Sequence, residues 1–288
     1  MQGRSWFRIV SLVIGFAFLY IPIVSLIVYS FNASKLVTVW GGFSTKWYGA
    51  LLQNDQILNA AWLSLRVAAI SATLAVVLGT LAGMVLARFG PFKGRTLFSG
   101  LTTAPLVMPE VITGLSLLLL FVTMEQLIGW PRGRGMTTII ISHVTFTMAF
   151  VTVLVQSRLV QMDESLEEAA LDLGARPWKV FFLITLPIIF PALLSGWLLA
   201  FTLSLDDLVI ASFVAGPGST TLPMVIFSKV RLGVSPDINA LATILVTVVA
   251  IGVAVAGVMM TRQQKARDRD AQMALAANQQ MIESLKKD

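Results

Sequence analysis

The chain has 288 residues, of which 56% are hydrophobic and 12% charged, whereas a soluble domain spends about a quarter of its residues on charge. With a mean hydropathy of +0.82, that balance places it in the membrane class. Zero cysteines and one histidine remove disulfides, thiolate metal sites and thiol nucleophiles and leave almost no acid–base chemistry near neutral pH, which argues against a hydrolytic or redox enzyme. The net charge of +6 is the kind of excess that membrane proteins gather in cytoplasmic segments, so it does not by itself imply nucleic acid.

A spanning helix needs about 20 mainly apolar residues, and six segments qualify: 9–31, 62–87, 98–124, 137–157, 181–214 and 238–261. Arg4 and Arg8 precede the first, which resembles a signal peptide but is longer than a usual apolar signal region and lacks a small-residue cleavage site, so it reads as a retained anchor. The fifth is too long for one straight crossing. It carries Pro187 and Pro191 early and Asp206 and Asp207 late, which predicts a bent or broken helix whose last turns are sheltered by protein.

With the amino terminus inside, Arg4, Arg8, Arg88, Lys93, Arg95, Arg158, Arg176, Lys179, Arg262, Lys265, Arg267, Arg269, Lys286 and Lys287 all fall in the cytoplasm, 14 of the 21 Lys and Arg. That bias puts both termini inside, with Arg132 and Arg134 as exceptions. Trp6, Trp40, Trp47, Tyr48, Trp62, Trp130 and Trp178 sit near span ends, as interface anchors do. Residues 1–262 therefore read as one membrane domain with a cytoplasmic loop at 158–180. Residues 263–288, rich in charge, Ala and Gln, read as a solvated, partly helical tail.

The loop is unusual because Asp163, Glu164, Glu167, Glu168 and Asp172 supply five of the chain's 15 acids, and acids do little for orientation. Leu166, Ala169, Ala170 and Leu173 recur at i, i+3, i+4 and i+7, a narrow apolar stripe of small residues. Acids occupy the first turn, Gly174 stands where a left-handed cap ends a helix, and Pro177 where another begins. The pattern specifies a short helix outside the membrane that admits another surface closely. The competing reading, a helix lying on the bilayer, would call for Lys and Arg on its polar face.

Ionisable groups within spans are costly and mark function by default. Glu110, Asp206 and Asp207 qualify, and no basic residue lies in the central part of a span to pair with them. A cationic substrate is the simplest partner. Structural alternatives stand beside this: Pro109 and Glu110 are suited to a helix start, and Asp206 and Asp207 are suited to capping a helical break after Ser204. Adjacent residues point about 100° apart on a helix, so at most one of the aspartates faces a central path. His143, beside Thr145 and Thr147, reads as a hydrogen-bonded structural residue, with a proton relay as the alternative.

Glu168, Ala169 and Ala170, then three residues, Gly174, nine residues, and Ile184, Leu186 and Pro187 match the EAA signature, so the chain resembles type I ABC-importer permeases (MetI-like). The runs TAPLVMPEVITG at 103–114 and SLDDLVIASFVAG at 204–216 look like spermidine/putrescine permeases, as do 29–32, 40–48, 221–224 and 238–243. Within that family the likeness is to the second permease subunit of a putrescine importer. The resemblance implies an all-α inner-membrane bundle of six spans that pairs with a homologous permease, an ATPase dimer and a periplasmic polyamine-binding protein. It implies that Glu167, Glu168, Ala169, Ala170, Gly174, Ile184, Leu186 and Pro187 form the ATPase-coupling region, and that ATP and Mg are used by the partner ATPase, with no cofactor or metal on this chain. Consistent with this, the sequence lacks the G-x-x-x-x-G-K-[ST] phosphate loop. The rival readings are a gradient-driven transporter using Glu110, Asp206 or His143 as a proton site, a membrane enzyme, and an importer of another small solute.

Overall fold

The computed structural model describes residues 5–36, 39–232 and 236–252, with 254 and 258 beyond them. Within the stretch expected as one membrane domain, two compact units stand out: residues 54–233, and the segments on either side of them in the chain. The described residues are helical, with no strand and a single isolated bridge between Asn32 and Phe43.

The flanking unit contains α1 (Ser5–Ser30), α2 (Lys46–Leu52) and α12 (Pro236–Gly252). α1 is apolar all round and buries almost nothing within its own unit, as befits a helix whose solvent is lipid. The loop after it is built on Asn32, a buried residue whose Oδ1 accepts from Ser34 N (3.1 Å) and Gly41 N (2.8 Å) while Nδ2 donates to Val39 O (2.8 Å). Trp47 Nε1 donates to Asn32 O (2.7 Å), so one side chain fixes the turn and the aromatic residue that follows it. The sixth expected span begins here as α12, and its end falls outside the described residues, as does the tail at 263–288.

The central unit runs α3 (Asp55–Arg88), α4 (Arg95–Thr103), α5 (Glu110–Ile128), α6 (Met136–Gln161), α7 (Ser165–Asp172), α8 (Pro177–Val180), α9 (Leu186–Leu205), α10 (Val209–Val214) and α11 (Leu222–Leu232). α3 starts on Asn54, whose side chain accepts from Ile57 N (3.2 Å). Its 34 residues span about 51 Å at 1.5 Å per residue, more than the ~30 Å hydrocarbon core, so its ends project beyond it. One face of α3 is Ala72, Ala75, Gly79 and Gly83, and it meets Val151, Val155 and Leu159 of α6 and Ile189 and Leu193 of α9. A Cβ on Gly79 would lie 2.8 Å from the Val151 side chain, and one on Gly83 3.1 Å from Gln156 N and Thr152 O. Gly-x-x-x-Gly thus sets the approach of α3 to α6, which matters in lipid because packing rather than hydrophobic transfer holds helices together. A second core joins Val67, Phe121, Ile139 and Phe146 to Ile210, Ala211 and Val214 of α10.

Two expected spans differ in detail. The run 98–124 is not one helix: Pro105 and Pro109 end α4 in a 3-10 turn (Ala104–Leu106) and restart the chain as α5, because neither proline supplies a backbone donor. The expected break in 181–214 falls at 206–208, between α9 and α10, and the turns after it are shielded, with Ile210, Ala211 and Val214 fully buried. At its other end α8 runs into α9 through a π-turn, Phe181–Thr185. Pro187 cannot donate to the carbonyl one turn back, and the wider π turn absorbs that lost bond.

Candidate functional site

α7 is the short helix anticipated in the loop. Asp163 Oδ1 accepts from Ser165 N (3.0 Å) at its start, and this bond holds the Asp163 carboxyl below the usual carboxylate range. At its end Gly174 takes φ +82°, with Gly174 N donating to Leu171 O (2.8 Å) and Ala175 N to Ala170 O (3.0 Å). Only a residue without a Cβ adopts this cap freely. The apolar stripe is not covered by the rest of the chain: Leu166, Ala169 and Leu173 are exposed, Leu173 at 89%, and Glu168 stands exposed beside them.

Glu167 faces the other way. Its Oε2 accepts from Arg88 Nε (2.8 Å), its Oε1 accepts from the Thr185 hydroxyl, and Glu164 Oε1 accepts from Arg88 Nη1 (2.9 Å). Arg88 and Glu167 are 14% and 17% exposed at their side chains. The two neighbouring glutamates therefore differ: Glu168 is presented outward, while Glu167 fastens α7 to the end of α3 and to the π-turn below α9. Ile184 lies in that turn, and Leu186 and Pro187 open α9, with Leu186 packed on the α3–α6–α9 core. The sequence named Arg88 and Glu164 only as cytoplasmic charges and gave Thr185 no role, because nothing in local spacing links residues 88 and 167.

The acids expected along a substrate path separate as well. Glu110 is the first residue of α5, exposed and preceded by Pro109 at the cap. It lies at the start of the apolar helix Glu110–Ile128 and not in the middle of a span, because the prolines divide the run 98–124. Asp206 ends α9 and is exposed. Asp207 is 9% exposed and fully engaged, in the capping role that the sequence offered as the alternative to a path residue: its Oδ2 receives His143 Nε2 (3.1 Å) and Ala211 N (2.7 Å), and its Oδ1 receives Ile210 N (3.3 Å). His143, 1% exposed, uses Nδ1 for Ser204 Oγ (2.6 Å). Asp207 caps the amino terminus of α10 while α6 holds it from the side. His143 is hydrogen-bonded as its sequence context suggested, but its partners, 61 and 64 residues away, were not legible there. Among the described residues no cluster of His, Asp and Glu is arranged to hold a metal ion.

Residues 75–270 match the family described as "Binding-protein-dependent transport system inner membrane component". The putrescine transport system permease protein PotI of Escherichia coli strain K12 is 61% identical over 94% of this chain and 96% of its own length. The spermidine/putrescine transport system permease protein PotC of the same strain is 43% identical over 86% and 91%. Among solved structures, a bacterial ABC transporter involved in import of the acidic polysaccharide alginate superposes with TM-score 0.69 over 90% of this chain and 97% of that one, at 17% identity. The MetNI methionine ABC transporter superposes at TM-score 0.57 over 72% and 94%, also at 17% identity, and such distant matches speak to the fold alone. The chain belongs to the binding-protein-dependent inner-membrane transport components, as an all-α, MetI-like multi-pass permease.

Proposed function

We propose that this chain is one permease subunit of an ATP-driven polyamine importer, with putrescine as its cargo. The observation that carries the cargo is Asp206, an exposed carboxylate at a break in a membrane-crossing helix that enters none of the ion pairs of the described residues, in a chain 61% identical to a putrescine permease. A carboxylate at such a position is costly to maintain without a function. An alkyl chain ending in two ammonium groups supplies the missing cations, and the apolar walls of the bundle suit its methylenes. Asp207, sequestered by His143 and the α10 amides, holds the break and leaves Asp206 to the path.

α7 is the coupling element. Its exposed stripe of Leu166, Ala169 and Leu173, with Glu168 beside it, is shaped to enter a recess in an ATPase subunit on the cytoplasmic side. The working assembly has a homologous second permease, an ATPase dimer that binds ATP and Mg, and a periplasmic polyamine-binding protein. The chain itself is no enzyme, and both its termini face the cytoplasm. ATP binding draws the ATPases together and moves the two α7 helices, and the permease pair shifts between inward- and outward-open states stabilised by different partners at each face. In proteoliposomes holding the complete complex, Asp206→Asn lowers labelled putrescine uptake at least tenfold with assembly intact, a loss of the size of a typical coupling free energy. Full uptake by Asp206→Asn removes this residue from the path.

A further inference from the structure

We propose that Arg88 is the strut through which α7 moves the membrane helices, making α3 and not only the covalent neighbours α6 and α8 the receiver of the ATPase stroke. This rests on the reading of α7 as the ATPase-docking helix.

The geometry at Arg88 joins three elements at one point. Arg88 ends α3, and its Nε and Nη1 reach two acids at the beginning of α7, Glu167 at 2.8 Å and Glu164 at 2.9 Å. The second oxygen of Glu167 accepts from Thr185 in the π-turn under α9. One carboxylate thus ties α7 to α3 on one side and to α9 on the other. The fork of a guanidinium fixes direction as well as distance, which an ammonium does not. The Arg88–Glu167 pair is largely withdrawn from water, and Arg88 Nη2 is fully buried, so salt screens that pair little, whereas Glu164 is 62% exposed.

A strut is useful only between stiff bodies, and both ends qualify. Arg95 donates to Leu86 O (2.7 Å) and Gly90 O (2.8 Å), closing the carbonyl end of α3 that would otherwise fray. α3 packs through Ala72, Ala75 and Gly79 against α6 and α9, so displacement of its end is carried into the bundle core. By contrast, the covalent route into α7 passes through the bend at 162–164 and the route out through the left-handed turn at Gly174. Turns of this kind yield under load more readily than a guanidinium bonded to two carboxylates between two helices.

The chain has no cysteine, which permits a direct test in the reconstituted complex with cysteine-free partners. Arg88→Cys combined with Glu167→Cys removes the strut, and a short bis-methanethiosulfonate linker replaces it covalently. Co-purification of the ATPase subunits reads docking, and putrescine imported per ATP hydrolysed reads transmission. The expected result is retained ATPase subunits, transport per ATP reduced about tenfold without linker, in the range of coupling free energies, and recovery when the linker is added and loss again on reduction. Arg88→Lys, which offers a single point charge, gives an intermediate ratio. Unchanged transport per ATP in the unlinked variant overturns the strut, and so does a linker that locks transport instead of restoring it, because the contact would then have to open in each cycle. Loss of the ATPase subunits in Arg88→Lys makes Arg88 part of the docking surface and also overturns it. Failure of the unaltered chain to retain any ATPase defeats the docking reading itself.

Discussion

Two pairs of adjacent acids show how much a neighbour decides. Asp206 and Asp207 are chemically the same in sequence, and in the structure both stand in the break between α9 and α10. The fold sends one into the α6–α10 interface and leaves the other exposed. Glu167 and Glu168 divide in the same manner, one to Arg88 and Thr185, the other outward. The His143 pair predicts a graded stability response. His143→Leu removes one of the three hydrogen-bond partners of the buried Asp207 carboxylate and costs about 1.5–3 kcal/mol, whereas Ser204→Ala removes a single hydrogen bond and costs about 1 kcal/mol. Thermal unfolding of the detergent-solubilised complex measures both, and equal midpoints for the two variants would refute the ranking. What the sequence offered here was residue type and a capping alternative. The partner was hidden, because residues 143 and 207 meet only when α6 is laid against the α9–α10 break.

At the scale of elements, apolar length pointed to the long helices but misplaced the one at Glu110–Ile128, and prolines marked where the chain departs from a straight rod. Pro187 and Pro191 announced a distorted fifth helix, and the π-turn is the form the distortion takes. Pro105 and Pro109 carried the same information for the run 98–124, where uninterrupted apolarity masked the break, and Glu110 takes the helix-start position that the sequence offered as the alternative to a path residue. The boundaries of α7 were legible because caps are local: Gly174 and Pro177 act through backbone geometry within a few residues. The α3–α6 contact also has a local signature in Gly79 and Gly83. Replacing Gly83 by Leu drives a side chain into the backbone at Thr152 and Gln156, and the expected cost is about 1–3 kcal/mol of overpacking, read as a lowered unfolding midpoint. The same change at the exposed Gly100, where a Cβ meets nothing within 4 Å, serves as the control and should leave the midpoint near that of the unaltered protein.

For the whole molecule, the described surface makes functional sense only as part of an assembly. α1 and much of α5 leave their apolar side chains outward, fit for lipid and for a second permease. The α7 segment leaves Leu166 and the following Leu173 outward, and in the proposed orientation these face the cytoplasm and an ATPase rather than lipid. The transport class was readable from sequence because the loop signature is local and spaced along one stretch of chain. The wiring between that loop and the bundle was not, since it depends on an arginine 79 residues away. The account stands on α7 as the site where an ATPase drives polyamine import. Uptake of labelled putrescine by proteoliposomes containing both permeases and the ATPase dimer, with the binding protein outside, tests it most directly when this chain carries Glu168→Lys. The account predicts ATP-dependent uptake by the unaltered complex and its loss in the variant, with both permeases still inserted. Undiminished uptake by Glu168→Lys, or uptake by this chain without any ATPase, would contradict it.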